Sequence, residues 1–318
     1  MNISDPGAED LLSRIRVLSQ IVWEDSVKKP DIDLWLENFQ GENQSAEIEK
    51  INALHLLAHF NFFGLKEIRI LLKTLYRDLF QYPIIQEIRQ LNHGTKDIKK
   101  IHIKLDEELS RTKFLGVGNP SESGSHLLYY FRQENSLRKN YFINQHEIID
   151  PESGKIAIQD LTRLVFIDDI LGSGQQVIQY SKNLISNIRD AAAIDGREIE
   201  ILYYVLFAKP EGLQVARGSD SLFDRVEAVH EMATSESAFS EGSRVYSDCK
   251  GEVTLKTGRD IAFHYGLKLQ PDSPLGYRDG QLLLGLHHNV PDNTLPIFWT
   301  DEAEKSWTPV FPRYKKVY

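Results

Sequence analysis

The stretch LVFIDDILGSGQQVIQY, residues 164–180, constrains the chain more than any other: an unbroken apolar run meets two adjacent aspartates, then a short glycine loop and a helical pattern. Val165, Phe166 and Ile167 show no alternation of apolar and polar, the mark of a strand covered on both faces and therefore of a parallel sheet. Asp168 and Asp169 are expected at the carboxyl end of that strand. Gly172, Ser173 and Gly174 permit a tight turn with close backbone approach, and a helix opening near Gln175 would aim free amides and its dipole at an anion. Carboxylates take hydroxyls or metals while such a loop takes phosphate. A sugar phosphate satisfies both at once, with its ribose hydroxyls on the acids and its 5'-phosphate in the loop.

Of two better-known phosphate motifs, one fails and the other fits poorly. A Walker loop needs a lysine followed by Ser or Thr after its last glycine, where this chain has Gln175 and Gln176. A dinucleotide fingerprint would place its third glycine at Val177, and two acids at its mouth would repel a diphosphate. A strand ended by solvated aspartates and an ordinary glycine turn is the plain structural alternative.

Around this stretch the texture divides the chain. From Ala8 to about Thr112 apolar residues recur at three- and four-residue steps, as in Leu11, Leu12, Ile15, Leu18 and Ile21, which predicts an all-helical region. Asp31 and Ser45 are expected N-caps there, and Pro83 and Gly94 interruptions. From Lys113 onward strand-like KFLGVG, KNYFIN, KIAI, EIEILYYVLFA and DRVEAVHEM alternate in part with helical stretches, and the turn-rich residues after 274 read as short strands and loops. The expectation is a helical region over 1–112 and an α/β domain with a mostly parallel sheet over 113–318.

Composition narrows the function. A net charge of -9 argues against coating nucleic acid by bulk electrostatics, so phosphate binding must be local. Cys249 is the one cysteine, which rules out an internal disulfide and a cysteine-rich zinc site. The N-terminus lacks the basic and apolar regions of a signal peptide and no apolar run reaches a membrane span, so the expectation is a soluble, cytoplasmic protein without membrane contact. His55, His59 and His126 lack a pattern of metal partners, and Trp299 and Tyr277 read as packing aromatics before base-stacking ones. His287 and His288 would point to opposite sides if extended, so one at most could face a pocket.

VFIDDILGSGQQ resembles the signature of type I phosphoribosyltransferases, in which an apolar strand ends in two acids followed by a small-residue phosphate loop and a helix. The resemblance implies a Rossmann-like core. It assigns Asp168 and Asp169 to the ribose hydroxyls of phosphoribosyl diphosphate (PRPP), with Mg2+ reaching them through PRPP, and Gly172, Ser173, Gly174, Gln175 and Gln176 to the 5'-phosphate. The chain departs from the pattern in carrying Gly172 and Gln176 where the family has hydroxyl residues, which leaves Ser173 as the main hydroxyl donor. A second, earlier loop in FLGVGNPSESGSHLLYYFRQ has the form of that fold's diphosphate loop, so Ser121, Ser123, Gly124 and Ser125 are candidates for the diphosphate and Arg132 for its charge partner. Capping of a surface helix by Ser123 or Ser125 is the plain reading of that segment.

From PSESG through IDDILGSGQ to PLGYRDGQ and NTLPIFW, roughly residues 113–318, the chain also resembles the divergent phosphoribosyltransferase-like proteins of bacterial conflict systems, including those encoded beside retron reverse transcriptases. This implies an effector or accessory subunit of anti-phage defence, with a reverse transcriptase and its nucleic acid, or another defence protein, as partner. Three functions remain open: a PRPP-dependent transferase, a module that senses PRPP or a nucleotide without turnover, and a degenerate scaffold acting through its helical half.

Overall fold

The computed structural model describes residues 6–117, 123–247, 249, 251–301 and 306–313. Along the chain the elements are α1 (Pro6–Ile21), α2 (Lys29–Leu36), α3 (Ala46–Leu57), β1 (Asn61–Phe63), α4 (Leu65–Thr74), α5 (Tyr82–Leu91), α6 (Ile98–Ser110), β2 (Thr112–Gly116), α7 (Ser123–Glu134), β3 (Arg163–Leu171), α8 (Gln175–Tyr180), α9 (Ser186–Ile194), β4 (Glu200–Ala208), α10 (Pro210–Ala216), β5 (Arg225–Glu231), α11 (Leu255–Leu269) and β6 (Leu284–Leu286). A π-helical stretch, Leu75–Gln81, joins α4 to α5, and another, Ser181–Ile185, joins α8 to α9.

The chain forms two compact units, and they do not follow the 112/113 boundary: Arg69–Met232 is one, and residues up to Ile68 together with those from Ala233 make the other. Pairing across the chain is the reason. β1 lies parallel to β6, with Asn61 opposite Leu284 and Phe63 opposite Leu286. The first 112 residues are therefore not all helical, although everything else regular in them is. An aromatic core holds this unit together: Trp35 stacks on Phe298 at 5.3 Å, and Phe60 on Phe311 at 4.4 Å. Glu49, fully buried there, accepts the N–H groups of Gly41, Asn43 and Gln44 and the hydroxyl of Tyr265, so its charge is met by four donors.

Ser45 caps α3 as expected, accepting from Ile48 N–H. Asp31 is instead the third residue of its helix, and its carboxylate accepts the N–H of Lys28, the actual N-cap. Pro83 does not interrupt the helix: Gln81 and Tyr82 are helical, so the proline lies just past the π-to-α junction, where a widened turn can accommodate its missing N–H, and Gly94 turns the chain after α5 at φ +73°.

In the second unit four parallel strands run in the order β2-β3-β4-β5. This is the α/β, Rossmann-like core that the apolar strands predict. KNYFIN and KIAI do not become strands. Lys139–Tyr141 curls into a 3-10 turn, Phe142 touches the sheet by a single parallel bridge to Phe114, and Ile156 makes one antiparallel bridge to Ile149.

Helices cover both faces. Phe114 of β2 packs on Phe80 and on Phe131 of α7, while Phe166 of β3 meets Tyr180 of α8 on the opposite face, among Val177, Ile185 and Ile188. Since β3 takes one edge of β2 and the Phe142 bridge the other, the chain leaves β2 outward through α7 and returns to cross it toward β3. The carboxyl ends of β2 and β3 thus form a topological switch point, the place where open α/β sheets offer a crevice.

Candidate functional site

β2 ends at Gly116, opposite Ile167, and its last link to β3 is the N–H of Val117 on the Ile167 carbonyl at 3.3 Å. Asp168 and Asp169 follow at once. They lie in the last four residues of β3, which continues to Leu171, at its carboxyl end as expected. Both are buried, at 5 % and 6 % exposure.

Their Cβ atoms leave opposite faces of the strand. Asp168 shares its face with Phe166 and Tyr203, and Oδ2 accepts the Tyr203 hydroxyl at 2.9 Å. Its Oδ1 accepts the N–H of Asp169 at 2.9 Å, and Asp169 Oδ1 in turn accepts the N–H of Ile170 at 2.8 Å. Burial, and next the charge of Asp169, push the Asp168 carboxyl well above the usual carboxylate range. No lysine or arginine is among the groups acting on it. A carboxyl raised by burial and by its neighbour's charge is one that a ligand rich in donors, or a divalent ion, would relieve.

The glycine loop is shaped from below. Gly174, at φ +77°, is the N-cap of α8, and a Cβ there would stand 2.7 Å from Val215 Cβ in α10. Gly212 in α10 lies so close that a Cβ would be 2.3 Å from the Gly172 carbonyl and 2.9 Å from that of Leu171. The first turn of α10 is therefore pressed against the loop, and neither position tolerates a side chain. Ser173 is half-buried, while Gln175 and Gln176 are exposed in the first turn of α8, which runs on through Ser181–Ile185 into α9.

The expected site residues are only partly brought together. Asp168, Asp169 and residues 172–176 share the carboxyl edge of β3. Ser121 lies outside the described residues, and of Ser123, Gly124 and Ser125 the backbone opens α7, as expected of a helix starting there. Arg132 is in the last turn of α7, roughly 13 Å along the axis from Ser123, with its guanidinium over the Tyr129 ring.

Three residues escape the sequence reading. Tyr203 is one: a tyrosine in a strand buried on both faces needs a hydroxyl partner, and parity along ILYYVLF could have signalled it. Lys209 ends the apolar run of β4, is 8 % exposed, and ties β4 to the loop through its N–H on the Leu171 carbonyl at 2.9 Å. Gly212 is the third.

The histidines behave as expected of packing residues. His55 Nε2 donates to the Val245 carbonyl at 2.8 Å, and burial lowers its pKa to about 4, while His126 is exposed. Trp299 donates its indole N–H to the Thr294 carbonyl at 2.9 Å from a half-buried position. No group of three or more His, Cys, Asp or Glu suited to a metal occurs among the described residues. No helix among them is long and apolar enough to cross a membrane.

A solved structure to which the chain is similar is that of orotate phosphoribosyltransferase from Aeropyrum pernix, at 15 % identity over 50 % of this chain and 75 % of that one, with a TM-score of 0.22. No curated protein matches. A family model described as PRTase-CE matches residues 32–313, most of the length and both compact units, and on that match the chain belongs to the PRTase-CE family of phosphoribosyltransferase-like proteins.

Proposed function

We propose that the carboxyl-edge crevice of β2 and β3 binds PRPP, or a related ribose 5-phosphate ligand, together with Mg2+. The single observation that carries this reading is the juxtaposition of a buried acid pair, its first carboxyl held well above the usual range, with a glycine loop pressed by α10, at a topological switch point. Sugar hydroxyls are donors and suit carboxylates; the loop amides and the first turn of α8 suit the phosphate.

Two oxygen-donor carboxylates are too few for an all-protein magnesium cage but fit an ion held mainly by diphosphate and water. When bound, Mg2+ would supply positive charge to the diphosphate as it leaves. The chain's own part is to hold the ribose between the Asp168–Asp169 pair and the loop and to exclude water beneath it with Leu171, Val177 and Tyr203. In a transferase reaction the bond from ribose C1 to diphosphate breaks with its electron pair going to diphosphate, a bond from C1 to the acceptor forms, and the acceptor loses a proton to solvent or base.

The loop's own chemistry favours a second reading, a sensor that binds without turnover. Gly172 brings no hydroxyl, and Gln176, exposed, offers only an amide. Release of diphosphate with any acceptor in a panel of nucleobases, nucleotides and proteins supports the enzyme, and binding without chemistry across that panel supports the sensor. Family resemblance alone supports the wider setting we propose: an effector or accessory subunit of a bacterial anti-phage, retron-type system, in the cytoplasm, with a reverse transcriptase and its nucleic acid or another defence protein as partner.

Titration calorimetry with PRPP, with and without Mg2+, decides the ligand. The expected result is metal-dependent binding that disappears in the Asp168→Asn, Asp169→Asn double variant while the fold persists. Unchanged affinity in that variant removes the assignment.

A further inference from the structure

We propose that the cavity beneath α5, at the amino ends of β3, β4 and β5, is a second binding site, which takes an uncharged heteroaromatic ring of nucleobase size and meets it with the Tyr204 hydroxyl.

The cavity measures about 300 Å³ and lies wholly within Arg69–Met232. Its roof is one stripe of helix: Phe80 from the π-helical stretch, then Pro83, Ile84 and Glu87 of α5, at three- and four-residue steps. Its floor is one face of the sheet. Arg163 and Glu200 are register partners, as are Leu202 and Arg225, and strand parity sets Tyr204 on the same side as Leu202. Tyr203 and Asp168 belong to the other side.

Tyr204 holds the polar group that the fold does not account for. The residue is 0 % exposed, and its hydroxyl has no hydrogen-bond partner among the described residues. Native structures rarely leave a buried hydroxyl unpaired, because it loses water and gains nothing in return. Burial pushes the phenol's ionisation up, so the group stays a neutral hydroxyl able to donate and to accept. The charges that act on it are those of Arg225, Glu200, Arg163 and Glu227, and three of these residues line the cavity. The hydroxyl therefore points toward the amino edge, into that space. Neither Asp168 nor Asp169 is among the groups acting on it, so the site does not depend on what the acid pair binds.

The lining selects the ligand. Around the hydroxyl the inner wall is apolar, made by the buried Phe80, Ile84 and Leu202. At the mouth the charges are already matched: Glu200 accepts from Arg163 Nε at 2.5 Å and from Arg225 Nη2 at 2.9 Å, and Glu108 accepts from Arg163 Nη1 at 3.2 Å. Two cations meet two anions, which leaves no surplus positive charge for a phosphate or a carboxylate. The remaining lining carboxylate, Glu87, is exposed and has little to offer a buried ammonium. A sugar would bring hydroxyls to every side of a wall that offers one inner partner. An uncharged heteroaromatic ring fits between helix and sheet, with a ring nitrogen or carbonyl on Tyr204 and its outer edge toward the amides of Gln86 and Gln90. The volume is at the low end for ligand pockets and suits a base better than a nucleotide.

Titration calorimetry of the full chain with adenine and with uracil, in the absence of PRPP, tests the site, and at least one of the two should bind. Tyr204→Phe keeps the ring and removes only the hydroxyl. It should weaken that binding by about tenfold, yet leave the melting temperature of the ligand-free protein unchanged or higher, because an unpaired polar group is gone. Ile84→Phe, which fills the cavity from its roof, should abolish binding. The Asp168→Asn, Asp169→Asn double variant should bind the base as wild type does.

The proposal is overturned if wild type binds neither base, if Tyr204→Phe keeps wild-type affinity, or if binding is lost in the aspartate double variant. That last result would put the base at the carboxyl edge and leave the PRPP reading intact. A lower melting temperature in ligand-free Tyr204→Phe also overturns it, since the hydroxyl would then serve the fold itself.

Discussion

Replacing Gly174 by alanine tests whether α10 shapes the phosphate loop. Two costs are expected. A residue with a side chain held at φ +77° pays about 1–2 kcal/mol for the left-handed conformation. The new Cβ would also stand 2.7 Å from Val215 Cβ, 2.8 Å from its Cγ1 and 3.1 Å from the Gly212 carbonyl. Carbon atoms rest at about 3.5–4.0 Å, so close to 1 Å must be found by moving a helix or the loop. Val215 is β-branched and cannot swing aside freely, and overpacking of this kind costs about 1–3 kcal/mol.

The total destabilisation is about 2–5 kcal/mol. Gly196, in the same compact unit at φ +66° but with nothing within 4 Å of its notional Cβ, supplies the control. Gly196→Ala should cost only the conformational term, about 1–2 kcal/mol, and the unfolded-state entropy gained by either substitution cancels in the comparison. Urea unfolding followed by far-ultraviolet circular dichroism measures both. Gly174→Ala should lose about 1–3 kcal/mol more than Gly196→Ala and should also lose PRPP affinity. Equal losses would mean that α10 does not press on the loop, and the account of the loop's shape would fail.

Other perturbations follow from the electrostatics. Because Asp168 titrates above its unfolded value, its contribution to stability is full below about pH 4 and is lost as pH rises through the folded value; Asp168→Asn should flatten that fall in melting temperature on the alkaline side of pH 4. His55 behaves oppositely: neutral in the fold down to about pH 4, it charges on unfolding below about pH 6.5, so stability should drop between these limits, and His55→Gln should blunt the drop in an acid melt. Glu49→Ala leaves three N–H groups of the 41–44 turn unpaired, and their hydrogen-exchange protection should vanish with a loss of about 3 kcal/mol or more in stability.

Local features were legible in the sequence. The apolar run of β3, the acid pair, the helix starting at Gln175 and the parallel sheet all depend on residues close together in the chain, and they stand where expected. Longer-range ones were not. Three-residue β1 leaves no periodic trace, and its partner β6 is more than 200 residues away, so nothing near Asn61 announces that the two chain ends build one unit. KNYFIN has strand propensity, yet only Phe142 reaches an edge and Lys139–Tyr141 turns instead. The sequence shows the adjacency of the two acids, but Tyr203, whose hydroxyl Asp168 accepts, belongs to the next strand and is 35 positions away. Gly212 likewise carries no signal until Gly172 is seen beside it.

The division of the chain into two units has a practical consequence for spectroscopy. All four tryptophans, Trp23, Trp35, Trp299 and Trp307, fall in the unit built from the chain ends, and none in Arg69–Met232. Intrinsic indole emission therefore watches the unit with the aromatic core and is blind to the one that carries the acid pair and the glycine loop. A ligand could tighten the α/β core while an indole-detected melt stays unmoved, whereas tyrosine signals, from Tyr180, Tyr203 and Tyr204 among others, would register it. Tyrosines such as Tyr246 and Tyr265 also lie in the unit built from the chain ends, so it is the departure of a tyrosine-read melt from the indole-read one that reports the α/β unit without cutting the chain.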